Sequence, residues 1–179
     1  LVRVPCAADS GFRLDAAVLA KAITPRTRAI FFSNPNNPTG VVLGREELQA
    51  IADLAIAHDL WVVVDEVYES LAYEREHLSL AALPGMAERC VVIGSLSKSH
   101  AMTGWRIGWV VANEALVNHV ETLVLSMLYG LPGFVMEAAL KAVQSHEEVT
   151  HGMREIYRRR RDLVVSGLAD CPGISVLNP

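Results

Sequence analysis

The chain has 179 residues, 51% of them hydrophobic and 20% charged, with a formal net charge of −4, a pI of about 5.9 and a mean hydropathy of +0.28. Such a composition can bury a sizeable core and excludes an intrinsically disordered chain, while the acidic balance argues against a nucleic-acid partner. The longest uncharged stretch, 122–136, is interrupted by Gly130, Pro132 and Gly133 and is too short to cross a bilayer, so no membrane-spanning helix is expected.

Short apolar runs alternate with helical patterns along the chain. Residues 28–33 predict a strand. Glu46 to His58 predict a helix, with Leu48, Ile51 and Ala55 on one stripe. The run 60–64 has no alternation and predicts a strand buried on both faces. Residues 90–94 and 106–111 repeat that type. From Glu114 onward helices are expected at about 114–128, 134–145 and 148–168. This order predicts an α/β fold, a mostly parallel sheet with flanking helices, with sites at the carboxyl ends of the strands. The run Arg158–Arg161 spreads around a helix axis and reads as a solvated face. The chain opens at Leu1 with no signal-peptide pattern, and stops at Pro179 after an apolar run, 174–177, that reads as the start of a strand. Those ends are expected of an internal piece of a longer chain.

Four motifs follow predicted strands. The first, Ser33–Gly40 (SNPNNPTG), packs prolines and asparagines into a rigid turn. In the second, VVVDEVY at 62–68, Asp65 ends an apolar strand, and a carboxylate there costs several kcal/mol unless a cation or several donors meet it. The same pattern resembles a Walker B segment, but no GxxxxGK[ST] loop accompanies it. The third, GSLSKS at 94–99, sets Lys98 between serines. The fourth, GWRIGW at 104–109, sets Arg106 among glycines and tryptophans. Taken singly, each has a plain structural reading: a turn, a strand-end cap, a loop lysine, a salt-bridge arginine. Taken together they match the needs of pyridoxal phosphate. That cofactor requires an amine, a carboxylate for its ring nitrogen, donors for its phenolic oxygen, and cations or hydroxyls for its phosphate. Lys98, Asp65, Tyr68 with Asn37, and Arg106 with Ser95 supply that inventory.

With NPNNPTG, DEVY, SLSK and GWRIGW in this order, the sequence resembles the class I/II aminotransferases of the fold-type I pyridoxal-phosphate enzymes. Within that family it looks most like the bacterial arginine–pyruvate transaminase type, in SLSKSHAMTGWRIGWVV and MLYGLPGF. The resemblance implies transfer of an amino group from an amino acid to a 2-oxo acid. Lys98 would hold the cofactor as an internal aldimine and then move the substrate proton. Asp65 would keep the ring nitrogen protonated, and Asn37 and Tyr68 would bind the phenolic oxygen. Ser95, Ser97 and Arg106 would bind the phosphate. Residues 1–150 would belong to the cofactor-binding large domain, and 151–179 to an interdomain helix and the start of a small domain. The loop at Tyr129–Pro132 would lean across a homodimer interface. The family's substrate-carboxylate arginine and its phosphate-binding helix match nothing in this chain.

The remaining polar residues carry plainer readings. His146 and His151 are five apart and do not share a helical face, so no metal site is expected. His58 ends a helix, and His100 follows the lysine motif closely enough to approach the pocket. Cys6, Cys90 and Cys171 are few and far apart, which predicts small core residues in a reducing cytoplasm rather than a disulfide framework. Met127, Met136 and Met153 fit helical packing. Two rival functions keep the same cofactor residues: a carbon–sulfur β-lyase, and the cofactor-binding domain of a transcription regulator.

Overall fold

The computed structural model describes residues 1–179 throughout. Strands β1 (Ala29–Ser33), β2 (Trp61–Asp65), β3 (Cys90–Ser95) and β4 (Gly108–Val111) form one sheet in the order β1-β2-β3-β4. β1 and β2 run parallel, with Ala29 opposite Trp61 and Ser33 opposite Asp65. β2 and β3 are also parallel, with Val62 opposite Cys90 and Asp65 opposite Ile93. β4 returns antiparallel, setting Ser95 opposite Gly108. The carboxyl ends of β1, β2 and β3 and the entry to β4 therefore share one sheet edge.

Helix α1 (Ala16–Ala22) starts at Asp15, whose Oδ1 accepts from the N–H groups of Ala17 and Val18. The sequence reading missed this helix, because two turns leave little periodicity to detect; the aspartate cap was its available signal. Helix α2 (Arg45–Ala57) presents Leu48, Ile51, Ala52 and Ala55 on one stripe, and all four are buried. They meet Val62 and Val64 of β2, with Leu80, Leu83 and Met86 closing the core. Each large aliphatic side chain removed from water here contributes about 1.5–3 kcal/mol. His58 caps the carboxyl end of α2, as expected.

Burial of β2 on both faces is not found. Val62 and Val64 are buried, whereas Trp61 is exposed and Val63 half-buried. The core cluster under α2 covers one face of the sheet, and residues of the opposite parity lack such a cover. Phe31 of β1 is likewise exposed.

The rest of the chain is helical. α3 (Leu96–Ser99) is a single turn directly after β3, and α4 (Glu114–Met127), α5 (Gly133–Gln144) and α6 (His146–Leu168) follow β4. α4 buries no residue, α5 buries only Val135 and α6 only Thr150. The total accessible surface is 11671 Å², against about 8,500 Å² for a compact monomer of this mass. Much apolar surface is left without cover.

Four further expectations change. Met127 and Met136 are exposed rather than packed. Among the cysteines only Cys90 is buried; Cys6 is exposed and Cys171 intermediate. Residues 174–177 form no strand, since no neighbouring strand offers a ladder there. Finally, Arg161 is not on a solvated face. Its side chain is 8% exposed, pairs with Glu74 and Asp162, and lies 4.9 Å over the Tyr73 ring. The Arg161 hydrogen bond holds the Glu74 carboxyl below the usual range, while burial pushes the Tyr73 hydroxyl up. The segment before His77 is thereby tied to α6.

Candidate functional site

The loop after β1 is built from its own side chains. Ser33 Oγ accepts from Asn36 Nδ2 at 3.0 Å and from the Asn37 N–H at 3.2 Å. Asn36 Oδ1 accepts from the Thr39 hydroxyl at 2.7 Å. Asn34 is fully buried, and its Oδ1 accepts from the Leu43 N–H at 2.8 Å. The Asn34–Pro35 and Asn37–Pro38 bonds are cis. These bonds occupy Asn34 and Asn36 and leave the Asn37 side chain exposed at the sheet edge, without a partner in the chain.

Asp65 closes β2 in register with Ser33. Its Oδ1 accepts from the Val67 N–H at 3.1 Å, and no cation of the chain pairs with it. Tyr68 follows one turn later, and its ring lies 5.7 Å from Lys98 Nζ. Asp65, Tyr68 and Lys98, separated by up to 33 positions, thus come to one place because β2 and β3 end side by side.

Ser95 ends β3 and caps α3, its Oγ accepting from the Ser97 N–H at 3.0 Å. The same Oγ lies 2.9 Å from Ser97 Oγ and 2.9 Å from the carbonyl of Ile107. The last contact fastens the lysine turn to the strand that follows Arg106. Arg106 has φ +54°, a left-handed conformation uncommon outside glycine, and donates to the Thr103 carbonyl at 2.9 Å. Neither Lys98 nor Arg106 forms an ion pair in the chain.

Two glycines make the close approach of β3 and β4 possible. A Cβ on Gly94 would stand 2.3 Å from the Trp109 ring, and one on Gly108 would stand 2.7 Å from the Gly94 carbonyl oxygen. The glycines of GSLSKS and GWRIGW therefore keep Ser95 and Arg106 side by side.

All seven residues expected from the sequence, Asn37, Asp65, Tyr68, Ser95, Ser97, Lys98 and Arg106, belong to this one edge. The geometry fits pyridoxal phosphate. A half-buried carboxylate, a half-buried amine and a guanidinium lie at one edge, none of them paired within the chain, beside two linked hydroxyls. Lys21 and Lys141, the other two lysines, sit exposed in the last turns of α1 and α5. Two cavities of about 640 and 700 Å³ lie along α6, lined by residues such as Tyr73, His77, His146 and Arg154, and neither includes Lys98 or Asp65.

Sequence reasoning missed what stands behind the edge. Glu66 continues the buried parity of Val62 and Val64 just past the end of β2 and is 3% exposed; His77 Nε2 is 3.3 Å from its Oε2, with the His77 side chain 9% exposed. Glu69 approaches the same pair, the ligand-type atoms of all three residues lying within 4.8 Å. Burial raises the Glu69 carboxyl pKa, with His77 acting in the opposite direction. Burial, helped by Glu66, also pushes the Cys90 thiol up to about 12, so this cysteine is inert. The only sequence signal was a second acid directly after Asp65, and nothing in its spacing named His77.

Comparison with known proteins agrees with this geometry. The family Aminotransferase class I and II matches residues 1–179. The arginine–pyruvate transaminase of Pseudomonas aeruginosa is 52% identical over 179 residues, all of this chain and 46% of that protein. The aspartate aminotransferase of Musicola paradisiaca is 37% identical, covering 99% of this chain and 45% of that protein. Among solved structures, the aromatic aminotransferase of Pyrococcus horikoshii superposes with a TM-score of 0.95 at 38% identity, over 99% of this chain and 48% of that one. The chain spans about half the length of the curated relatives it matches.

Proposed function

Because the chain belongs to the class I and II aminotransferase family, we propose that this protein is a pyridoxal-phosphate-dependent aminotransferase moving an amino group from an amino acid to a 2-oxo acid. The observation that carries the reading is the convergence of Lys98, Asp65 and Arg106, all unpaired, at one sheet edge with Ser95 and Ser97. Charged groups brought together at one strand-end edge without partners of their own are available to a ligand.

When bound, the cofactor supplies an electron sink for the charge left at the amino acid's Cα. The chain's own residues do the rest. Lys98 Nζ would hold the cofactor and would move the proton of the substrate Cα. Asp65 keeps a proton on the ring nitrogen, since a carboxylate favours the charged ring. Asn37 and Tyr68 bind the phenolic oxygen. Ser95 and Ser97 offer hydroxyls to the phosphate, and Arg106 offers a planar fork. Residues 1–150 belong in this reading to the cofactor-binding domain, and 151–179 to an interdomain helix and the start of a second domain. The free, exposed Cys6 supports a reducing cytoplasm as the compartment.

The active unit is proposed to be a homodimer, with the Tyr129–Pro132 loop reaching the partner's substrate pocket. Tyr129 is 89% exposed, and Leu128, Leu131 and Phe134 are exposed beside it, a patch of the kind that marks interfaces. Mixing Lys98→Ala subunits with Leu131→Asp subunits tests this. Heterodimers should recover part of the activity, because one site then pairs an intact lysine with an intact incoming loop. No recovery in heterodimers that demonstrably form would place the loop elsewhere.

Arginine and pyruvate are the first substrates to assay with the full-length protein, given the 52% relative. Transfer predicts 2-oxo acid and aminated pyruvate in equal amounts. Release of ammonia without amination of pyruvate would indicate elimination, the chemistry of a β-lyase.

A further inference from the structure

The turn that carries Lys98 is held from behind by a histidine the proposed chemistry does not use. His100 caps α3, its N–H bonding the Leu96 carbonyl at 3.2 Å. Its Nδ1 lies 2.8 Å from the hydroxyl of Ser99, a residue 4% exposed. Its Nε2 is buried without a well-formed hydrogen bond, and the acceptor facing the ring is the Ala142 carbonyl near the end of α5. The ring lies against His146, the first residue of α6, with centroids 5.2 Å apart and the planes tilted by 42°. One side chain thus joins the lysine turn to the α5–α6 corner.

We propose that His100 is a positioning residue for Lys98: its ring, seated between Ser99, Ala142 and His146, fixes the lysine turn against the start of α6. The proposal rests on Lys98 being the cofactor-bearing amine. The neighbours imply the Nε2–H tautomer, which donates toward Ala142 while Nδ1 accepts from Ser99. A second proton would have to enter at Nδ1, and the Ser99 hydroxyl would then have to turn from donor to acceptor.

The titratable groups on the surrounding elements are Lys98 on α3, Glu69 on the turn at Glu69–Leu71, Glu137 and Lys141 on α5, and, in the first turn of α6, His146, Glu147 and Glu148, with His151 and the further charged residues of α6 beyond them. Of these, His146 is the one whose charge acts on His100. Burial, and then His146, lower the His100 pKa from its ordinary 6.5, against the opposing pull of the Ala142 carbonyl. The sign follows directly. A depressed histidine pKa means that the seat is intact above about pH 6.5 and is lost as pH falls through the folded value.

The test uses full-length holoprotein with labelled histidines. NMR titration should place the His100 pKa below the ordinary histidine value. His146→Gln should raise it, because the charge of His146 is one of the causes that lower it. In the wild type, kcat and the visible absorbance of the bound cofactor should change in step with His100 protonation. His100→Phe, which keeps a ring but cannot titrate, should abolish that acid limb, and His146→Gln should move it upward together with the NMR value. An acid limb unchanged in both variants, or a wild type without one, overturns the proposal; His146→Gln decides it alone if His100→Phe fails to fold. A borohydride adduct missing from Lys98 would instead overturn the parent reading, and the NMR coupling would still report on the histidine pair.

Discussion

The two halves of this chain are built to different standards of completeness. Between Ala16 and Cys90 the sheet, α2 and their connections enclose a single core in which Leu48, Ile51, Val62, Val64 and Leu80 are essentially shielded from water. Beyond β3 the balance reverses. Every residue of β4 is exposed, α4 buries nothing, and Leu123, Leu125, Met127 and Phe134 face solvent. Yet the second half is nearly as apolar in sequence. The difference teaches that hydrophobic periodicity specifies a face to be covered and leaves open what covers it. The candidate site lies where the halves join: the complete half supplies Asp65 and Tyr68, and the seam supplies Lys98 and Arg106.

Core truncations probe that contrast most strongly. In the full-length protein, Leu48→Ala should cost about 2–5 kcal/mol in chemical denaturation, the range for deleting a buried leucine side chain. If the apolar face of α4 is covered in the full-length protein, Leu125→Ala should cost at least about 2 kcal/mol, although Leu125 is 54% exposed within this chain. A cost within about 0.5 kcal/mol, usual for surface positions, would leave the α4 face in water and remove the basis of the comparison.

At the seam, Asp65→Asn should retain cofactor but lose turnover by at least about a hundredfold, the scale for removing one preorganised electrostatic partner. Near-normal turnover would reduce Asp65 to a strand-end cap bonded to the Val67 N–H. Gly108→Ala should have the smallest effect, about 1–3 kcal/mol of lost stability, because the new methyl must push away the Gly94 carbonyl. Weaker cofactor retention should accompany it, since Ser95 and Arg106 are held together by that approach.

Much of this was legible in the sequence, and the exceptions have physical causes. β1, β2, β3, α2, α4 and α5 lie within about two residues of their expected limits, because each has several turns or a full β-branched run to register a period. α1 and α3 are too short for that, and the run 174–177 has β propensity but no neighbour to pair with. The seven residues expected at the site share one sheet edge because each sits in a motif beside a strand end. The buried Glu66–His77 pair and the Ser99–His100–His146 seat were not, because contacts across 11 and 46 positions leave no local pattern.

The central claim is that the sheet edge exists to place one particular amine. Reduction of the full-length protein with borohydride in the presence of pyridoxal phosphate, followed by peptide mapping in a mass spectrometer, tests it directly. The account predicts a single adduct on the peptide containing Lys98, absent in Lys98→Ala. An adduct on Lys21 or Lys141, or one that persists in Lys98→Ala, would contradict it.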